Sequence, residues 1–182
     1  GTDEFGRDML SRILFGSRIT LLVGAVAVGI SLTIGMAVGM IAAFRRGWIE
    51  AILMRSTDVL FSFTETLIAL SFVAVLGPSL QNAIIAVGVA GIPFYSRTCY
   101  SAALVETSKP YFEASIAAGA RPTRMVLVHL LPNVMPTMIV VATLGVSTAI
   151  LAAAGLSFLG LGAQPPTSEW GYMLAGSRDY IN

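Results

Sequence analysis

The chain has 182 residues, of which 55% are hydrophobic and 12% charged, about half the ~25% charge of ordinary soluble domains. Its formal net charge is +1, its mean hydropathy is +0.81, and Cys99 is its single cysteine. These figures exclude a disordered chain, a nucleic-acid binder with a basic face, a disulfide scaffold and a cysteine-based metal cluster.

Residues 6–17 alternate polar Arg7, Asp8, Ser11 and Arg12 with apolar Met9, Leu10, Ile13 and Leu14. That spacing predicts a short helix lying on the membrane surface, with Asp8 and Arg12 paired at i,i+4. Next comes an uncharged run of 26 residues, Ile19 to Phe44. As a helix rising ~1.5 Å per residue it reaches ~39 Å, more than the ~30 Å hydrocarbon layer. Gly35-x-x-x-Gly39 on this run is a small-residue pair of the kind that lets helices approach closely. Arg45-Arg46-Gly47 then forms a basic turn, with Trp48 suited to the headgroup level.

Two further uncharged runs follow, Thr66 to Ser96 with 31 residues and Met125 to Ser168 with 44. Gly77-Pro78 splits the first, because proline does not continue a helix across that point. Pro132, Pro136 and the late glycines trim the second. Four spans result, at about 19–44, 52–76, 80–100 and 133–156. Residues 101–132 are long and helix-favouring on both sides of Gly119, which is too much for a hairpin loop. Residues 157–182 leave the membrane through Gln164-Pro165-Pro166.

The basic residues set the orientation. Arg45, Arg46, Arg55, Arg97, Lys109, Arg121 and Arg124 fall on one side of the four spans, and Arg7, Arg12, Arg18 and Arg178 on the other, offset by Asp3, Glu4, Asp8, Glu169 and Asp179. The positive-inside rule puts loop 101–132 in the cytoplasm and both ends of the chain outside. A start outside the membrane with no export signal is expected of a fragment that lacks at least one earlier span.

Little in the chain offers bond-breaking chemistry. There is no phosphate-binding G-x-x-x-x-G-K-[ST] loop, no H-E-x-x-H, and Ser157 does not stand in a G-x-S-x-G elbow. His129, the single histidine, falls in the loop region. No catalytic residue, cofactor or metal is expected. Asp58 and Glu65 are seven residues apart, two turns, and so share a face of one helix. Two readings of them stay open. They line a proton or cation path, as in an ion-gradient-driven transporter or channel, or Arg55 pairs with Asp58 at i,i+3 while Glu65 faces another helix.

The most specific pattern lies in the cytoplasmic segment. Glu113-Ala114-Ser115, three residues, Gly119, nine residues, then His129-Leu130-Leu131-Pro132 resembles the EAA motif of ABC importer permeases. Glu113, Ala114, Gly119, Leu131 and Pro132 match; Ser115 and His129 depart. Gly1-Thr2-Asp3-Glu4-Phe5-Gly6-Arg7-Asp8, Leu53-Met54-Arg55-Ser56-Thr57-Asp58, Leu156-Ser157-Phe158-Leu159-Gly160-Leu161-Gly162 and Gln164-Pro165-Pro166-Thr167 resemble the dipeptide, oligopeptide and nickel branch of that family. In that branch histidine is common at the position of His129. The family's proline after Phe63 is replaced by Thr64, which predicts a more continuous helix here.

The resemblance implies an all-α, polytopic transmembrane helix bundle of the type I ABC importer permease kind, with a cytoplasmic coupling elbow at 111–132. It implies six spans in the whole protein, of which this chain holds the second to the fifth. It implies an inner-membrane subunit that transports peptides or a related solute such as nickel or glutathione. The partners implied are a second, similar permease, cytoplasmic ATP-binding subunits and an extracytoplasmic solute-binding protein. ATP hydrolysis falls to the partner. The elbow residues Glu113, Ala114, Gly119, Leu131 and Pro132 would couple to it, with Arg121 and Arg124 at the ATPase or at lipid headgroups.

Overall fold

Among the residues described by the computed structural model, 1–2 and 6–177, the chain is built from helices and their connections, with one isolated bridge between Thr2 and Asp8. Asp3, Glu4, Arg178 and Asp179, read above with the outer ends, lie outside the described residues.

The first helix, α1 (Met9–Phe44), is continuous over 36 residues. The expected surface helix at 6–17 is therefore not separate: Gly16 stays helical and no proline stands between it and the apolar run. Asp8 caps it, accepting from the Ser11 amide (2.9 Å) and the Ser11 hydroxyl (2.6 Å). These bonds hold the Asp8 carboxyl below its ordinary pKa. After α1, Gly47 takes a φ of +90°, and α2 (Trp48–Phe61) follows. Glu50 reaches back to accept from the Gly47 amide at 3.2 Å, and Trp48 is 84% exposed.

The expected helix over 52–76 is interrupted. α2 stops at Phe61, and α3 (Glu65–Leu76) begins after Ser62-Phe63-Thr64. The last turn tightens to three-residue bonds, Ser62 N to Val59 O and Phe63 N to Leu60 O, and the Ser62 hydroxyl donates to Val59 O at 2.6 Å. A hydroxyl that competes for backbone partners ends the helix here without the family's proline, and Glu65 opens the next one, where the helix dipole favours an acid. Asp58 and Glu65 thus lie on different helices, and the shared face inferred from their spacing does not exist.

Gly77, at φ +88°, closes α3, and α4 (Leu80–Thr107) runs past the expected end at residue 100. Asn82 secures the turn by donating to Leu76 O and Gly77 O. α5 (Pro110–Ala117), α6 (Pro122–Arg124), a π-helical turn over Met125–Leu130 and α7 (Leu131–Phe158) come next, and α8 (Trp170–Ser177) ends the described chain. From Pro122 to Phe158 the helix is unbroken for 37 residues. Three helices are long and apolar enough to cross a membrane, and counting α2 with α3 as one broken span makes up to four.

The residues group into two compact units. One comprises Gly1–Gly29, Glu65–Ala90 and Gly145–Asn182. In it α1 and α7 meet so closely that a Cβ at Gly24 would lie 2.6 Å from Ile150, and Trp170 donates through Nε1 to Ile13 O at 3.0 Å. The other comprises Ile30–Thr64 and Gly91–Leu144. In it the Gly35-x-x-x-Gly39 pair receives α4: a Cβ at Gly35 would lie 2.6 Å from Tyr95 Cβ, and one at Gly39 2.6 Å from Ser96 O. Cys99 is fully buried beside Gly39, as a small apolar side chain.

Candidate functional site: the elbow and the charges beside it

α5 opens with Lys109 as N-cap and Pro110 at its first position, where the missing amide costs nothing. It closes on Gly119 at φ +77°. The Gly119 amide donates to Ile116 O (2.9 Å) and the Ala120 amide to Ser115 O (3.2 Å). This pair of bonds defines a Schellman end, in which the left-handed residue is preferably glycine. The chain then re-enters a helix at Pro122.

This elbow is clipped in place at its base. Glu106, buried at 6% exposure near the end of α4, accepts from Lys109 Nζ at 2.6 Å and from the Tyr111 hydroxyl at 2.5 Å. Asn133, at the start of α7, donates to the Tyr111 hydroxyl at 3.4 Å and to His129 O at 2.6 Å. Partial burial, then the Glu106 carboxylate, push the Tyr111 phenol up to about 12. The sequence reading passed over this cluster, although Glu106 and Lys109 stand at i,i+3.

The matched residues sit around this base. Glu113 and Ala114 are exposed on α5, and Glu113 has no hydrogen-bond or ion-pair partner among the described residues. It does not pair or cap within the elbow. Leu131 is half-buried and Pro132 exposed at the head of α7. Arg121, Arg124 and His129 line one groove of about 590 Å³ with Ser115 and Gly119. His129, read as a loop residue, lies inside the continuous helix, in the π turn. There Leu131 N donates five residues back to Val126 O. In an α register the Pro132 ring would crowd the Val128 carbonyl, and a widened turn relieves that.

Asp58 finds its partner on α4 rather than on its own helix. Arg97 Nη2 donates to Asp58 Oδ1 at 2.7 Å, and the same guanidinium lies 5.7 Å from the Phe61 ring centre, within cation–π range. Among the described residues Arg55 does not pair with Asp58. It lines a cavity of about 390 Å³ with Glu50, Arg97 and Tyr100; the Tyr100 hydroxyl donates to the Glu50 carboxylate.

Long apolar helices joined through a glycine-turned, clipped elbow define a multi-span membrane helix bundle. The family described as binding-protein-dependent transport system inner membrane component matches residues 35–177. The chain belongs to that family and is an integral membrane protein. It is similar to a di/tripeptide transport system permease of Pseudomonas aeruginosa, 47% identical over 181 residues, covering 100% of this chain and 60% of that protein. A glutathione transport system permease of Escherichia coli is 43% identical over 178 residues, with 98% and 59% covered. The chain thus spans about three-fifths of the length of these relatives. In fold it is similar to a chain of the MetNI methionine ABC transporter in an inward-facing conformation, with TM-score 0.78 and 24% identity over 95% of this chain and 82% of that one.

Proposed function

We propose that the chain forms the membrane pathway of an ATP-driven importer for peptides or a related small solute, glutathione and nickel among the alternatives. It pairs with a second permease of the same kind. A cytoplasmic pair of ATP-binding subunits docks on the elbow 111–132 and alone hydrolyses ATP. Closure of that pair moves the elbow and rocks the spans between inward-open and outward-open forms, so transport is an alternation of two states biased by nucleotide. A solute-binding protein delivers substrate on the opposite side, near residues 1–8 and 164–182.

The observation that carries this reading is the elbow itself. It presents an exposed, unpartnered Glu113, Ala114 and a glycine-turned end, and is fastened through Tyr111 to α4 and α7. A lever must be held at its base and free at its docking face; the Tyr111 bonds and the exposed Glu113 support that reading. In this reading Glu113, Ala114 and Gly119 form the docking face, and Leu131 and Pro132 join the lever to its span, with Arg121 and Arg124 beside it. The basic elbow lies in the cytoplasm and the ends of α1 and α8 near Asp8 and Trp170 lie outside. The Asp58–Arg97 pair is structural.

The test is Gly119→Val in the reconstituted transporter. Uptake should fall while ATP hydrolysis continues and the chain still inserts. Normal uptake coupled to hydrolysis would overturn the proposal.

A further inference from the structure

The cavity between α2 and α4 holds a charge that the fastening of the two helices leaves unanswered. Arg55 lines it and has no hydrogen-bond or ion-pair partner among the described residues. The carboxylates nearby are already engaged. Glu50 accepts from the Tyr100 hydroxyl through one oxygen and from the Gly47 amide through the other, and it feels the charge of Arg46. Asp58 is held by Arg97. Arg97 also lines the cavity, and that bond uses one of its five N–H donors. The guanidiniums of Arg46, Arg55 and Arg97 thus stand against two carboxylates, and one positive charge is left over.

Depth makes that charge costly. With the hydrocarbon edge at residue 52 on α2 and at residue 100 on α4, Arg55 and Arg97 are each three residues inside it, about 4.5 Å along the helix. An unpaired guanidinium at that level is expensive, and its side chain reaches back towards the headgroups for a counter-charge. The cavity offers the route. Gly47 and Ser101, which also line it, fall outside the edge, and Trp48, 84% exposed, stands about 6 Å outside it, within a headgroup layer roughly 5–8 Å deep.

The inner flank is apolar. Phe61, against the Arg97 guanidinium, and Phe94, one turn deeper than Arg97 on α4, are both exposed. By the same rise they lie about 13 Å and about 9 Å inside the edge, within the hydrocarbon. The cavity, at about 390 Å³, has room for an oxyanion together with the group that carries it, since ligand sites run from roughly 300 to 1,000 Å³. Two guanidiniums at one depth on neighbouring helices, open outward to headgroups and flanked inward by exposed rings, fit a ligand that is anionic at one end and apolar at the other.

We propose that Arg55 and Arg97 together hold the headgroup phosphate of a net-anionic membrane lipid in this cavity, with an acyl chain passing Phe61 and Phe94. The proposal rests on the spans and the membrane placement given above. The lipid answers the charge of Arg55 and ties α2 to α4 beside the solvent-open Arg97–Asp58 pair.

The intact transporter, reconstituted in vesicles of phosphatidylcholine and phosphatidylglycerol, is extracted in mild detergent and its retained lipids are counted by mass spectrometry. Wild type should retain phosphatidylglycerol in preference to phosphatidylcholine. Arg55→Gln should lower that preference about fivefold, as expected for one basic residue at an anionic surface, and Arg55→Lys should keep most of it. Asp58→Asn, which frees Arg97 for the phosphate, should keep or raise it. Arg45→Gln, in the turn before α2 and outside the cavity, should leave it unchanged. An unchanged preference in Arg55→Gln overturns the proposal. Equal loss in Arg45→Gln does so too, because it would mark diffuse surface attraction, and equal loss in Asp58→Asn would make the helix fastening responsible instead. Displacement of the lipid by inorganic phosphate also overturns it, as a site for a soluble anion. Failure of the placement reads differently: Ser108→Cys would then be labelled by an impermeant maleimide from outside intact cells, while the lipid count still decides the cavity.

Discussion

Arg97 and Asp58 are 39 positions apart and meet at 2.7 Å, tying α4 to α2. Their side chains are 54% and 47% exposed, so the pair is open to screening. An open ion pair contributes about 0–1 kcal/mol. The expected coupling energy from Asp58→Asn, Arg97→Gln and the double variant, read by thermal unfolding in detergent, is therefore under ~1 kcal/mol. A coupling well above that would mean that the pair is shielded in the assembled protein and acts as more than a fastening.

The contact between α1 and α4 predicts a sharper effect. A Cβ at Gly39 would lie 2.6 Å from Ser96 O and 2.8 Å from Cys99 Cβ. The first of these is backbone, which cannot swing aside. Gly39→Ala should destabilise by about 1–3 kcal/mol, the usual cost of overpacking. Gly29, on the same helix, has nothing within 4 Å of the same added atom. Gly29→Ala should be neutral or stabilising by up to ~1 kcal/mol through helix propensity. Equal melting temperatures for the two variants would contradict the close approach.

Gly119 separates conformation from size. Its φ of +77° is strained for a side chain, yet nothing lies within 4 Å of a Cβ there. Substitutions should rank by tolerance of the left-handed region rather than by volume. Gly119→Asn should be mild and Gly119→Ala should cost about 1–2 kcal/mol, with a β-branched residue worse. Hydrogen exchange at the Ala120 amide, which closes the Schellman end, reads the order directly. A ranking by volume, with Ala milder than Asn, would contradict it.

What the residue pattern makes legible follows from which forces are local. The apolar runs of α1, α4 and α7 are long and uncharged, so their existence could be read directly. Glycine and proline punctuation gave the turn at Gly77 and the elbow around Gly119. The break at Ser62-Phe63-Thr64 was not legible, because a serine hydroxyl competing for a carbonyl is a weak signal and no proline marks the place. The π turn was hidden for a related reason. Periodicity assumes one register, and Pro132, which favours the change, looked like the start of a span. Asp58's true partner was out of reach because Arg97 is distant in the chain, while Arg55 stood at a plausible local spacing.

Tyr111 gives a prediction with a defined pH window. Its phenol is pushed up to about 12 by partial burial and by the Glu106 carboxylate it donates to, from a value near 10 in the unfolded chain. A raised acid pKa means that the fold holds the proton more tightly than the unfolded chain does. The stabilisation is complete below about pH 10 and is lost as pH rises through about 12. Phenolate absorbance should therefore show one slow-rising component near that upper value, and Tyr111→Phe should remove it. The variant should also leave Glu106 with only Lys109, and speed hydrogen exchange across α5 at neutral pH. A titration in which Tyr111→Phe removes an ordinary component near pH 10 would show that the phenol does not clip the elbow to α4.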